Sequence, residues 1–67
     1  MMHYPDISGL IVVASGKYGS AALRYRVDAA TNRVSYIIRQ SRVRDVVYED
    51  YAAAREKFDE ICKANNY

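Results

Sequence analysis

Six arginines lie between residues 24 and 44: Arg24, Arg26, Arg33, Arg39, Arg42 and Arg44. Tyr25 and Tyr36 are interleaved with them, and Tyr48 follows. A guanidinium is planar and permanently charged. It pairs bidentately with phosphates and carboxylates and stacks on bases or aromatic rings. Two kinds of partner fit such a set. One is nucleic acid, held through backbone phosphates with a few base contacts. The other is an acidic groove on a protein. Only Lys17 accompanies the six arginines in the first 44 residues, and this preference for Arg favours specific, partly desolvated contacts over diffuse attraction.

Other chemistry has little to work with. Nucleophilic catalysis needs a Ser, Cys or Thr beside a base, and the one histidine, His3, stands near the N-terminus as a solvent-exposed residue. One cysteine, Cys62, and one distant histidine cannot make up the four ligands of a zinc site. Glu56, Asp59 and Glu60 group on one side of a helical pattern and read as hydrated surface, with Asp59 and Lys63 spaced to pair. Ser15-Gly16-Lys17 resembles the end of a phosphate loop, but Gly9 is misplaced and Tyr18 stands where Ser or Thr is required. A non-enzymatic protein without metal or cofactor is expected.

Length and charge narrow the class further. Sixty-seven residues make one small domain, residues 1–67, close to the lower limit for folding on a hydrophobic core alone. The hydrophobic fraction of 51% opposes disorder. Cys62 cannot form an internal disulfide, which favours a reducing compartment and an inert core thiol. No apolar run approaches the ~18 residues of a membrane span, and the start lacks the basic residues of a signal peptide. A soluble, cytoplasmic protein is expected. The net charge of +2 conceals an asymmetry. Residues 1–44 hold seven basic and two acidic residues, net +5; residues 45–67 hold three basic and six acidic, net −3.

The elements that would position the arginines follow from periodicity. Residues 1–6 form a loose lead-in, with Pro5 favouring an extended entry. Residues 7–15 are β-branched and of strand length, and a turn cluster with two glycines follows at 16–20. Residues 21–28 alternate, with Leu23, Tyr25 and Val27 on one side and Arg24, Arg26 and Asp28 on the other. A second turn at 29–32 leads to another alternating strand at 33–39. There Val34, Tyr36 and Ile38 oppose Arg33, Ser35, Ile37 and Arg39. Residues 40–48 break strict alternation; a fourth strand and a bulged continuation of the third both fit, with the fourth strand favoured. Residues 50–65 carry the helix. Tyr51, Ala54, Phe58, Ile61 and Cys62 form its apolar stripe, Asp50 is the N-cap, and Asn65 and Asn66 make the left-handed stop. The fold class is α+β: a three- to four-stranded antiparallel meander with one C-terminal helix across one face.

One helix covers one face. The uncovered face would show Arg24, Arg26, Arg33 and Arg39 around Ile37. The first strand is apolar on both sides, with Leu10, Val12 and Ala14 alternating with Ile11 and Val13, so some aliphatics should join the arginines. Such a patch suits a binding surface or a homodimer interface. The competing expectation places the first strand centrally, with long Arg stems covering its outer face.

Two resemblances bear on function. The runs Leu-Arg-Tyr-Arg-Val-Asp at 23–28, Arg-Val-Ser-Tyr-Ile-Ile at 33–38 and Tyr-Ala-Ala-Ala-Arg-Glu-Lys-Phe at 51–58 resemble the arm-binding domains of phage-type integrases. Those are three-stranded sheets backed by a helix, whose exposed face enters the DNA major groove. The resemblance implies that Arg24, Arg26, Arg33 and Arg39 face DNA. Such domains precede a catalytic domain, whereas this chain stops after the helix. The size and the segment Tyr-Glu-Asp-Tyr-x-x-Ala-x-x-x-Phe at 48–58 are similar to small phage and mobile-element inhibitors of the anti-CRISPR type. That resemblance implies action without catalysis, in the host cytoplasm, by occupying a surface on a protein or nucleoprotein target. Many such inhibitors are acidic, and the basic sheet here departs from that pattern. A homo-oligomeric structural role is the third class, suggested by the doubly apolar first strand.

Overall fold

A computed structural model of the protein describes residues 7–67; the lead-in with His3 and Pro5 lies outside the described residues. The order is β1 (Ile7–Gly16), β2 (Gly19–Val27), β3 (Val34–Gln40), β4 (Val43–Tyr48) and α1 (Tyr51–Asn65). All neighbouring strands are antiparallel, and the sheet order is β1-β2-β3-β4. The fold is thus an α+β meander with one helix across it, and residues 43–48 do form a fourth strand. β1 is an edge strand, as the meander order requires, which overturns the competing expectation of a central first strand.

Cross-strand partners share a face, so the register sorts the side chains. On the helix side, Val12, Leu23, Ile38 and Val46 stand in one row. Ala21, Leu23 and Ile38 meet Ala54, Phe58 and Ile61 of α1 in the buried core. Leu23 and Ile38 lose all contact with solvent, and each such burial stabilises the fold by roughly 1.5–3 kcal/mol.

The helix begins and ends as its sequence directs. The Asp50 carboxylate accepts from the Ala53 amide at 3.1 Å, satisfying one of the unpaired amides of the first turn. Asn66 adopts the left-handed conformation, φ 57°, with its amide directed to the Cys62 carbonyl. Tyr51, placed on the apolar stripe by its spacing, is in fact exposed, with its ring edge-on to Tyr36 at 5.4 Å. Asp59 pairs with Arg55 at 3.3 Å instead of the expected Lys63.

α1 therefore starts over Tyr36 and runs toward the β1–β2 hairpin, where the chain end closes on two glycines. A Cβ at Gly16 would stand 2.7 Å from the Asn66 carbonyl oxygen, and one at Gly19 2.9 Å from the Tyr67 hydroxyl. Gly19 also has φ 154°, a conformation that side chains rarely adopt. β2 accordingly starts at Gly19, inside the stretch expected to be turn.

Two other departures have local causes. Asp28 ends the strand instead of continuing it, because its carboxylate accepts from the Ala30 amide at 2.9 Å and its carbonyl from the Asn32 amide at 2.7 Å. This aspartate-centred turn leaves Arg33 before β3, not within it. The second departure is a bulge in β1: the register shifts between Leu10 and Val12, making Ile11 the extra residue. Leu10 consequently pairs with Arg24 while Val12 pairs with Leu23. The two were expected on one side, and the bulge sends them to opposite faces.

Candidate functional site

The face of the sheet away from α1 is organised in three rows. The first is Leu10, Arg24, Ile37 and Val47, one residue from each strand. The second is Ser8, Arg26 and Ser35, and the third is Val13, Ala22 and Arg39. The alternation of β2 is what delivers Arg24 and Arg26 to this side, since Leu23 and Tyr25 between them are drawn toward the helix side. Tyr25 is fixed there by lying over Gly9, whose missing side chain leaves room for the ring.

Arg39 is tied down by Asp45 of β4, Nε to Oδ2 at 3.1 Å. Both side chains are well exposed, so the pair contributes at most about 1 kcal/mol and serves mainly to orient the guanidinium. Two shallow depressions share Arg26, Ile37 and Val47, so they form one trough. Ile37 and Val47 are its aliphatic lining, Asp28 and Ser35 border one end, and Arg24, Arg39 and Asp45 border the other.

Of the seven residues proposed from sequence, the structure gathers four on this face: Arg24, Arg26, Ile37 and Arg39. Arg33 lines an adjoining hollow with Thr31 and Glu49 at the β2–β3 turn, which shares Asp28 and Ser35 with the trough. Arg42 occupies the turn between β3 and β4 with φ 66°, and Arg44 lies in the stretch of β4 where the register shifts. Sequence reasoning placed Ser35 on this side but missed Leu10, Val47, Ser8 and Asp45. Asp45 had been grouped with the acidic half, yet it stands among the arginines. Its spacing of two from Val47 was the available signal, readable only once the fourth strand was granted.

Burial pushes the Cys62 thiol above its ordinary pKa, nearby Asp59 adds to the rise, and Arg55 offsets part of it. Among the described residues, no three His, Cys, Asp or Glu side chains cluster as metal ligands. None of the described helices is long and apolar enough to cross a membrane. No family model, curated protein or solved structure matches the chain. The functional reading therefore rests on the residues of the open face.

Proposed function

We propose that this chain is a non-enzymatic binding protein of the inhibitor type, resembling the small anti-CRISPR-like proteins of phages and mobile elements. It acts by occupying an acidic surface of a protein or nucleoprotein target with its open sheet face. The observation that carries this reading is the row Leu10–Arg24–Ile37–Val47, in which an arginine stands among two exposed aliphatics, Leu10 and Val47, and the half-buried Ile37. Protein interfaces are enriched in arginine and apolar side chains and depleted in lysine, and the rows contain no lysine, asparagine or glutamine. Those amides, which read adenine edges in DNA, would be expected on a base-reading surface.

The DNA-module reading is favoured by a different observation. A sheet backed by one helix, with Arg24, Arg26 and Arg39 on the far side, is the arrangement that the integrase resemblance implies. One pair of experiments separates the two. Affinity capture from a bacterial lysate should yield one partner with the wild-type chain and lose it with Arg24→Glu and with Ile37→Asp, both of which should melt like wild type. Capture of the same proteins by all three chains refutes the inhibitor reading. Titration with duplex and single-stranded DNA at ~50 and ~200 mM salt tests the alternative. Binding that weakens steeply between these concentrations, and less steeply in Arg24→Ala, favours DNA.

A further inference from the structure

The two edges of the sheet differ in kind. β4 is six residues long and carries Arg44 and Asp45 within a register shift, features that discourage edge pairing. β1 has ten residues, Ile-Ser-Gly-Leu-Ile-Val-Val-Ala-Ser-Gly, and no charge. The helix packs mainly on β2, β3 and β4, leaving Ile7 exposed by 62%, while Leu10 and Val13, on the open face, are exposed by 51% and 56%. An uncharged, apolar edge of this length is a template for another strand.

We propose that the occupant is β1 of a second copy, paired antiparallel about a two-fold axis at Val13. The bulge confines regular pairing to Val12–Gly16, where Val12 and Ala14 face the helix side and Val13 and Ser15 the open side. An antiparallel partner must match faces residue by residue. A centre at Val13 does so, placing Val13 against its own copy and Val12 against Ala14. Self-association through the open face is opposed by charge, since Arg24, Arg26 and Arg39 outnumber Asp28 and Asp45 there and the net positive faces would meet their like. Because only one edge is of this kind, pairing closes at two copies and does not propagate as a fibre. The folded core, with four large side chains and two alanines, is small enough for a second copy to matter.

The product is one eight-stranded sheet with both helices on the same side. The two β2 strands lie three strand spacings apart, about 14 Å, so the arginines of both open faces form a single symmetric surface. This inference goes beyond the binding reading and does not depend on what the face binds.

Sedimentation equilibrium over a concentration series tests it. Wild type should pass from monomer to dimer, and Val13→Lys should raise the dissociation constant at least ~10-fold by setting like charges opposite each other at an edge pair. Val47→Lys, on the other edge, should leave the constant unchanged. The exposure of Val13 makes Val13→Lys compatible with the fold, which thermal melting of the dilute protein checks. Independently, Val13→Cys in a Cys62→Ser background should form a disulfide-linked dimer under oxidised glutathione, because directly opposed residues lie about 4.5–5.5 Å apart at Cα, within disulfide range. A chain that stays monomeric to ~1 mM, the limit of weak specific association, overturns the proposal. So does a dimer lost in Val47→Lys or Ile37→Asp but retained in Val13→Lys, or the absence of the Val13→Cys crosslink in a dimer.

Discussion

Two leucines on neighbouring strands test the register directly. Leu23 is fully buried between Val12 and Ile38 beneath α1, whereas Leu10 is half exposed beside Arg24. Strict alternation through β1 would place Leu10 on the same side as Val12, toward the helix; the bulge at Ile11 places it on the open face. The same chemical truncation should therefore have unequal consequences. Leu23→Ala removes buried carbons and leaves a cavity under the helix, costing about 2–5 kcal/mol. Leu10→Ala forfeits about half of a leucine's transfer energy and opens no cavity, or about 1 kcal/mol. Total stability for a domain of this size is of order 3–10 kcal/mol. Urea unfolding followed by circular dichroism provides the assay, at a protein concentration where the chain is monomeric. With a slope near 1 kcal/mol/M, Leu23→Ala should lower the midpoint by about 2 M or more, or leave the chain unfolded in water. Leu10→Ala should lower it by about 1 M or less. Equal losses at the two positions would refute the bulge and the sorting of faces built on it.

Gly19→Ala should destabilise the fold by about 1–3 kcal/mol, combining a rare backbone conformation with contact against the Tyr67 hydroxyl; Tyr67→Phe in the same background, which removes only that hydroxyl and keeps the ring packed on the core, should recover part of the loss in thermal melts. The Cys62 thiol, whose protonated form is favoured by burial and by Asp59, should react with iodoacetamide more slowly than free cysteine at pH 8, and its rate should level off at a higher pH than that of free cysteine. The linked stability has the matching sign. A raised folded-state pKa means that this contribution is intact below the unfolded thiol's pKa of ~8.5 and is lost as pH climbs beyond it. Cys62→Ser should flatten that alkaline decline.

Local features of the chain were legible where a single period or a single side chain decides them. The 3.6-residue stripe, Asp50 ahead of it and Asn66 behind it define α1 within a residue. The alternation of residues 21–28 and 33–39 identifies β2 and β3, bounded in the structure at Gly19–Val27 and Val34–Gln40, and puts Arg24, Arg26, Ile37 and Arg39 on one side. β4 was harder, because the register shift opposite Ile38 and Gln40 breaks the alternation of Val43, Val46 and Val47. Arg33 was misplaced because the carboxylate of Asp28 captures the turn amide and ends β2 early, a competition that hydrophobic periodicity does not register.

By itself, then, the sequence determined the α+β class, the meander order, the helix with its caps and the side of β2 that carries the arginines. These follow from interactions within a few residues, where side-chain direction is tied to backbone period. Only the tertiary structure decided that Ile11 is the extra residue that turns Leu10 outward and that Asp45 anchors Arg39. Each of those depends on which strand lies beside which and in what register. That is settled by burial under the helix and by pairing across the sheet, between residues that the chain itself holds far apart.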